Sequence, residues 1–363
     1  MPYNVAVIGY GLSAKIFHIP FITALPQRYT LYGIVQRNPT DSNNCQNDHK
    51  GVKLFRSVDE MLADKDVDVV VDSTLPEVHF EHAKKAMEAG KHVVVEKPFV
   101  PTHKDAEELV AIMKKTGKKM TVYQNRRFDS DFLTLRSLLD TNTLGRIVEF
   151  ETHFDRHRPQ GASWEAGAAH NWKAQDRPGV GQIYDLGTHL IDQVYHLYGP
   201  PKKVTAFLAN QREKAPKEGP KDSFSAYLHY DNGLLATVKA GVVSPEREQL
   251  RYWIRGEKGS FKKFHLDVQE DQLKQGLRPG ASNYGVDPED HWGILTTAQQ
   301  DGSMMEERFK TVDPATYVKY YEIFADALDG KGEVPVSPQD ASQVIRIIEL
   351  CKESSETGRS VDV

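Results

Sequence analysis

A glycine pattern directly after the first apolar run constrains the fold of this chain more than any other feature. Residues 4–8 predict a strand and residues 13–25 predict a helix, and the sequence between them reads G-x-G-x-x-A. The pattern consists of Gly9, Tyr10, Gly11, Leu12, Ser13 and Ala14. Between a strand and a helix it is typical of a dinucleotide-binding turn, because the first glycine permits the bend, the second admits a pyrophosphate and the alanine keeps helix and strand close. An ordinary strand-to-helix turn is the alternative, and the α/β context favours the nucleotide.

The rest of the first third of the chain alternates apolar runs with amphipathic segments. Further strands are predicted at residues 31–35, 67–71, 93–95 and 120–123, and further helices at residues 77–88 and 103–115. Strands that lack period-2 alternation and are separated by helices indicate a parallel sheet covered on both faces. The sequence therefore predicts a doubly wound, nucleotide-binding Rossmann domain over residues 1–124.

The pattern changes after residue 124. Strands are predicted at residues 147–154, 203–209, 223–230, 234–240 and 249–255, and no helix is predicted between the last four. The "DNG" at residues 231–233 predicts a hairpin turn. These features indicate a second, α+β domain with an antiparallel sheet over residues 125–363. Residues 273–307 are polar and irregular, which predicts a functional or interface loop. Helices are predicted at residues 314–328 and 338–353.

The end of the second strand bears on which dinucleotide is bound. An acid there would hydrogen-bond the ribose 2′-hydroxyl of NAD, but the strand ends in Val35, Gln36, Arg37 and Asn38, with no acid before Asp41. An arginine at this place suits the 2′-phosphate of NADP. We therefore expect Gln36 and Arg37 to bind the cofactor and NADP to be preferred over NAD. The alternative is a solvated surface arginine.

Two further groups of residues carry chemistry. The run "VVVEKP" at residues 93–98 ends a buried strand with Glu96, Lys97 and Pro98, at the sheet edge where α/β folds bind ligands. Asp185 and His189 are about one helical turn apart, and a carboxylate beside an imidazole can orient it and raise its basicity. The alternatives are a lysine that reaches the surface and an exposed helix pair, the role we expect for Asp192 and His196.

Together these motifs resemble the Gfo/Idh/MocA oxidoreductases, a family named after glucose–fructose oxidoreductase and inositol dehydrogenase. The resemblance covers essentially the whole chain and rests on G-x-G-x-x-A, on "AGKHVVVEKP" at residues 89–98 and on "GVGQIYDLGTHLID" at residues 179–192. Val180 replaces the central one of three glycines, a minor departure. "GYGLSAKIFHIP" and "HFDRHRP" further resemble the branch with NADP-dependent scyllo-inositol dehydrogenases. The family implies a C-terminal domain with a large, mostly antiparallel open sheet, and hydride transfer at a sugar or polyol carbon.

The resemblance also implies roles for individual residues. Lys97 would hydrogen-bond the reacting oxygen, His189 would exchange its proton, and Asp185 would hold a substrate hydroxyl and the imidazole. Cofactor contacts are expected from the glycine turn, Gln36, Arg37, Ser73, Thr74, Leu75, Pro76, His79, Glu96, Lys97, Pro98 and Asn125. From their positions in the chain, substrate contacts are expected from Arg127, His153, Asp155, Arg156 and Trp172, with Lys173 beside it, because a polyhydroxylated substrate needs several convergent donors and acceptors. The alternative for each of them is a structural or solvated role.

Composition argues against several other classes of protein. A net charge of −5 gives no field that would gather nucleic acid or an anionic membrane. No apolar stretch approaches the ~20 residues of a membrane helix, and the first residues do not read as a signal peptide. Cys45 and Cys351 form no metal motif, and no H-E-x-x-H or C-x-x-C pattern is present. We therefore expect a cytoplasmic enzyme that uses no metal.

Two expectations concern assembly and activity. Strand candidates of the second domain such as residues 236–243 carry apolar residues on both faces, which predicts a homodimer or a dimer of dimers. A non-enzymatic regulatory protein that binds a dinucleotide through the same fold is the rival hypothesis. The set of Lys97, Asp185 and His189 favours the enzyme, because a sensor does not need these three residues.

Overall fold

A computed structural model describes residues 1–159, 173, 175, 177–213 and 219–363. Within these ranges the chain forms two compact units, and neither is continuous in sequence. The first unit comprises Met1–Phe128, Gln269–Tyr284 and Ala315–Ser342, and the second comprises Asp129–Val268, Gly285–Pro314 and Gln343–Val363. Two later segments of the chain thus complete the unit that begins with the glycine turn.

The first unit contains a parallel sheet of six described strands. They are β1 (Tyr3–Ile8), β2 (Tyr29–Val35), β3 (Lys53–Phe55), β4 (Val69–Asp72), β5 (His92–Val95) and β6 (Met120–Val122). Their order across the sheet is β3-β2-β1-β4-β5-β6, and every neighbouring pair is parallel. Val69, Val70 and Val71 are buried, as are Val93, Val94 and Val95, which fits a sheet covered on both faces. The predicted doubly wound Rossmann sheet is confirmed.

The helices of the described residues connect and cover the strands. They are α1 (Ile19–Thr23), α2 (Cys45–Asp48), α3 (Val58–Ala63), α4 (Pro76–Glu88), α5 (His103–Thr116), α6 (Ser130–Asp140), α7 (Thr188–Tyr198), α8 (Gln269–Lys274), α9 (Val318–Leu328) and α10 (Pro338–Thr357). π-helical turns, Ala14–His18 and Ile183–Gly187, lead directly into α1 and α7. The predicted helix over residues 13–25 is therefore a π-helical turn followed by a short α-helix.

The second unit contains a mixed, mostly antiparallel sheet of nine described strands. They are β7 (Ile147–His153), β8 (Lys203–Ala209), β9 (Ser223–His229), β10 (Leu235–Ala240), β11 (Leu250–Gly256), β12 (Gly259–Phe264), β13 (Gly293–Ala298), β14 (Met304–Phe309) and β15 (Val361–Asp362). Their order is β14-β13-β12-β11-β7-β10-β9-β8-β15, and β7 and β10 are its parallel pair. The prediction of a large, mostly antiparallel sheet is confirmed. One face of its central strands is buried, and α7 packs on β10 with Leu190, Ile191 and Val194 buried.

The interpretation of residues 273–307 as an irregular loop is wrong. β13 lies within this range and β14 begins there, and the preceding strand β12 was not predicted. β14, with the sequence MMEERF, is exposed over nearly its whole length, so it lacks the alternation of buried and exposed residues that would mark a strand. Its hydrogen bonds to β13, and not its own burial, stabilise it as a strand.

Candidate active site

The glycine turn has the geometry that a dinucleotide needs. Gly9 has φ +94°, a conformation that favours glycine, and a Cβ there would lie 2.8 Å from the carbonyl oxygen of Ser73. A Cβ on Gly11 would meet nothing within 4 Å, so space is open above the second glycine. The Ser73 hydroxyl oxygen is buried and has no hydrogen-bond partner among the described residues. A nucleotide fits this turn, because the open glycine admits a phosphate and the buried hydroxyl still needs a partner.

The side chains between the two glycines and the helix have separate contacts. Tyr10 is buried, and its hydroxyl donates a hydrogen bond to Asp48 at 2.6 Å. The ammonium of Lys15 lies 4.2 Å from the centre of the Tyr10 ring. Leu12 is exposed, whereas Ala14 is buried. Ser13 donates a hydrogen bond to the carboxylate of Glu96, on the turn that follows β5.

The two residues that follow β2 differ in what they contact. Gln36 is buried, and its side-chain amide donates to the carbonyl of Asn43 at 2.7 Å and accepts from the backbone N–H of Cys45 at 3.0 Å. Arg37 is exposed and has no ion-pair or hydrogen-bond partner among the described residues. Gln36 therefore holds the loop that follows β2, and Arg37 is the side chain at this strand end that is open to a ligand.

The segment after β4 is held together by polar contacts. Asp72 is fully buried at the end of the strand, where it accepts from the hydroxyl of Thr74 at 2.6 Å and lies 3.2 Å from Nδ1 of His82. His79 is also fully buried, with Nδ1 3.1 Å from the carbonyl oxygens of Pro98 and Phe99. Leu75 and Pro76 begin α4, which packs on β4 and β5. These contacts hold residues 73–76 next to the turn that contains Lys97.

The turn that ends "VVVEKP" is built around the buried carboxylate of Glu96. One oxygen accepts from Ser13 and lies 3.0 Å from Nε2 of His18, and the other accepts from the backbone N–H of Lys97 at 2.8 Å. Burial alone would raise the pKa of Glu96, but the hydrogen bond and charge of His18, together with Lys97 and Ser13, lower it to about 2. Lys97 is half-buried, and its bond to Pro98 is cis.

A 3₁₀ turn, Asn125–Phe128, follows β6 in the first unit. Asn125 and Arg127 are both buried. The Arg127 guanidinium lies 3.7 Å from Asp340, and the neighbouring Arg126 pairs with Glu270. Both arginines of this turn are therefore paired with carboxylates from later segments of the same unit.

In the second unit, Asp185 and His189 lie on the predicted helix, although its start is irregular. Asp185 is in the π-helical turn, and His189 is a buried residue in the first turn of α7. Lys173 donates hydrogen bonds to both carboxylate oxygens of Asp185, at 2.8 and 2.9 Å. Asp192 is buried while His196 is exposed, so the expectation of an exposed Asp192–His196 pair is wrong.

The residues at the end of β7 form a second polar group of this unit. His153 is buried, with Nδ1 3.1 Å from Asp155 and Nε2 3.3 Å from Glu151. The guanidinium of Arg156 lies 4.6 Å from the centre of the Phe154 ring. Sequence reasoning selected His153, Asp155 and Arg156 but missed Glu151, which alternation along β7 could have placed on the same face. Trp172 lies outside the described residues.

Beneath α7, the guanidinium of Arg251 is the centre of a buried hydrogen-bond network. It bonds to Asp131 at 2.8 Å, Gln193 at 2.9 Å, Thr152 at 3.0 Å, the carbonyl of His153 at 3.2 Å and the hydroxyl of Tyr252 at 2.6 Å. Arg251 and Asp131 are essentially inaccessible to solvent. The network links α6, β7 and β11 to the helix that carries His189.

The described residues also concern the membrane and metal-binding classes of protein. No helix there is long and apolar enough to cross a membrane. No group of three or more His, Cys, Asp and Glu side chains in the same part of the chain is arranged to hold a metal ion.

Comparison with known proteins places the chain in a family. Residues 3–124 match the oxidoreductase family with an NAD-binding Rossmann fold, and residues 136–363 match the C-terminal alpha/beta domain of the same family. The chain belongs to the Gfo/Idh/MocA oxidoreductase family. The resemblance deduced from the sequence is confirmed, and the first unit contains the NAD(P)-binding Rossmann fold of an oxidoreductase that acts on a small molecule.

Individual members of the Gfo/Idh/MocA family are similar over nearly the whole chain. YdgJ, an uncharacterized oxidoreductase of Escherichia coli, is 39% identical, with 97% of this chain and 96% of YdgJ covered. The scyllo-inositol 2-dehydrogenase (NADP⁺) IolW of Bacillus subtilis is 33% identical, with 99% and 95% covered. The crystal structure of an oxidoreductase from Bacillus cereus has a TM-score of 0.88 at 30% identity, with 99% and 98% covered.

Proposed function

We propose that this protein is an NADP-dependent dehydrogenase or reductase that transfers a hydride between the nicotinamide and a CH–OH carbon of a sugar or cyclic polyol. Residues 1–124 would bind the cofactor, and residues 125–363 would bind the substrate and form a contact between copies. The substrate class is supported by the similarity to IolW, whose name gives scyllo-inositol as substrate and NADP as cofactor.

The observation that carries the cofactor choice is the exposed Arg37 after β2. No acid stands at this strand end, and the Gln36 amide is hydrogen-bonded to the backbone of the loop that follows. Arg37 is the cation there that can form a charge-assisted contact with a 2′-phosphate. The ribose 2′-hydroxyl of NAD would lack the carboxylate acceptor that it usually finds at this place.

The chain's own residues would position the substrate and manage the proton. When bound, the nicotinamide would supply or accept the hydride. Lys97 would hydrogen-bond the reacting oxygen and stabilise its partial alkoxide character, and His189 would accept the hydroxyl proton. Asp185 would hold a substrate hydroxyl, and its ion pair with Lys173 keeps that carboxylate oriented. Arg127, His153, Asp155 and Arg156 would supply further polar contacts to a polyhydroxylated substrate.

The test is an activity screen of the purified protein with aldoses and inositol isomers, each with NADP⁺ and with NAD⁺. We expect NADP⁺ reduction with at least one polyol or sugar, and a kcat/KM for NADP⁺ about tenfold or more above that for NAD⁺, which corresponds to about 1.4 kcal/mol. Faster turnover with NAD⁺ would contradict the cofactor assignment. Nucleotide binding without turnover of any substrate would favour the non-enzymatic regulatory protein.

A further inference from the structure

We propose that His18 is a positioning residue, which acts through Glu96 to hold the backbone of Lys97 and the start of the glycine-turn helix in one fixed arrangement. The proposal rests on the proposed function in one respect, since it takes Lys97 to be catalytic. Nε2 of His18 lies 3.0 Å from the Glu96 carboxylate, which also accepts from Ser13 and from the backbone N–H of Lys97. Glu96 thus contacts both the glycine turn and the lysine.

The contacts of His18 define its tautomer. A carboxylate has only acceptor oxygens, so the nitrogen that faces Glu96 must carry the proton. The other nitrogen, Nδ1, lies 2.7 Å from the hydroxyl of Tyr321, which can donate to a neutral ring and accept from a protonated one. Both ring nitrogens of this fully buried histidine are then satisfied. The hydrogen-bonded row runs from Tyr321 through His18 to Glu96.

Glu96 is buried, so its ionised form depends on hydrogen-bond donors such as His18. A buried carboxylate is stable only when it is hydrogen-bonded or paired, and the pKa of Glu96 is lowered to about 2 despite its burial. The other titratable groups that face it are Lys97, Tyr123 on β6 and Tyr320 and Tyr321 on α9. Burial raises the pKa of all three tyrosines well above 10, so they stay neutral at ordinary pH.

Two substitutions of similar size separate the roles of the two ring nitrogens. The amide nitrogen of glutamine can take the place of Nε2, so His18→Gln keeps a donor for Glu96. The shorter asparagine takes the place of Nδ1, so His18→Asn keeps only the contact with Tyr321. The matched control is His92→Asn on β5, the strand that leads to Glu96. His92 is partly buried, and among the described residues its Nδ1 accepts from the backbone N–H of Lys119, which asparagine can also do.

The first readout is the pH dependence of thermal unfolding without cofactor. In the wild type the folded pKa of Glu96 is below its ordinary value of 4.5, so its contribution to stability is present above about pH 4.5 and is lost as the pH falls toward 2. Without the donor, fewer hydrogen bonds oppose the effect of burial, so the folded pKa of Glu96 is higher than in the wild type and less of this stabilisation remains above about pH 4.5. We expect the Tm of His18→Asn to fall below that of His18→Gln by about 2 °C or more between about pH 5 and about pH 8.

The second readout is turnover at saturating cofactor. We expect His18→Asn to lower kcat by about tenfold or more, since Lys97 is no longer fixed against the reacting oxygen, and His18→Gln and His92→Asn to stay within about threefold of the wild type. If His18→Asn does not fold, Tyr321→Phe takes its place. Removing its hydroxyl leaves Nδ1 without its partner, so the ring is held less firmly against Glu96 and the same changes are expected at smaller size.

The outcomes separate this inference from the proposed function. Equal Tm–pH curves for the two His18 variants, or equal turnover, would overturn the positioning role. If Lys97→Ala keeps normal turnover, the proposed function fails, but the Tm–pH contrast still reports whether His18 holds Glu96 ionised. If Lys97→Ala loses activity as expected but the two His18 variants do not differ, this inference is overturned and the proposed function stands.

Discussion

At the end of β2, two adjacent side chains that the sequence presents as equivalent cofactor ligands have different surroundings. The prediction of a cofactor contact from Gln36 took no account of the loop after it, whose backbone groups at Asn43 and Cys45 bind the glutamine amide. The course of that loop decides which of the two side chains forms hydrogen bonds within the protein and which is exposed. The pattern of residues along β2 carries no information on that course, although it did place Arg37 just after the end of the strand.

The exposed Arg37 leads to a prediction about cofactor preference. Arg37→Ala should weaken the binding of NADP by about tenfold or more, because a charge-assisted hydrogen bond to the phosphate is lost, and should change NAD binding little. Cofactor fluorescence titration with both nucleotides measures this. Gln36→Ala is the comparison, and it should weaken both nucleotides alike because it loosens the loop. Equal losses for NADP and NAD in Arg37→Ala would contradict the assignment.

The catalytic residues lead to a second prediction at this scale. Lys97→Ala and His189→Ala should each lower kcat by about a hundredfold or more, which is the usual size of general acid–base contributions, while NADP affinity changes far less. Steady-state kinetics and cofactor titration together measure the two effects.

Controls for this experiment lie on neighbouring elements. Lys114→Ala on α5 and His196→Ala on α7 remove exposed residues of the same types and should leave kcat near the wild-type value. Near-normal turnover in Lys97→Ala would mean that "VVVEKP" is only the end of a strand.

Among the secondary-structure elements, prediction from sequence succeeded for most strands with buried faces, although it missed β12 and β13, in which burial alternates. Apart from β3, the strands of the first sheet and the strands β7–β11 have buried residues on one or both faces, and their patterns located them within a few residues. β3 has three residues and β14 is exposed along nearly its whole length, so neither has a burial pattern to detect. The π-helical turn at the start of α7 could not be predicted either. Asp185 and His189 lie on one helical segment whether the turn is α or π, so the sequence pattern does not distinguish the two.

The network around Arg251 leads to a prediction at the scale of elements. Arg251→Leu should lower the free energy of unfolding by about 3–5 kcal/mol, because the Asp131 carboxylate would be left buried without its cation. Arg255→Leu on the same strand is the matched control. Arg255 pairs with Glu149 at the surface, and such pairs contribute about 0.2–1 kcal/mol. Urea unfolding followed by circular dichroism measures both, and similar losses for the two variants would contradict the buried role.

At the scale of the whole molecule, the first unit is held together by contacts between residues far apart in the chain, which local sequence patterns do not predict. Tyr321 on α9 bonds to His18 and, through its carbonyl, to the hydroxyl of Tyr29 at 2.8 Å. Thr121 on β6 donates to the carbonyl of Val336 at 2.9 Å. These partners are hundreds of residues apart in the chain, so a single sequence gives no means to pair them. His18 could therefore not be identified as a neighbour of Glu96 until the fold was known.

The open face of the nine-stranded sheet carries exposed aromatic side chains. Phe207 is 69% exposed and Tyr227 is 41% exposed, and β8 and β9, which carry them, are paired neighbours. On β11 of the same sheet, Trp253 lies 5.1 Å from the charged groups of both Arg255 and Lys262. Large exposed aromatic side chains beside charged ones are typical of a surface that another protein covers.

We therefore expect the protein to form a homodimer or a dimer of dimers through this face, since a second copy offers the same surface and closed two-fold contacts are the commonest solution. The double change Phe207→Asp and Tyr227→Asp should shift the protein toward monomer, because each introduced carboxylate would have to be buried in the contact at a cost of several kcal/mol. Sedimentation velocity at micromolar concentration measures this. Val286→Asp, at a position 47% exposed in the second unit and outside its strands, should leave the assembly unchanged. A wild-type protein that sediments as a single monomeric species would contradict the expectation.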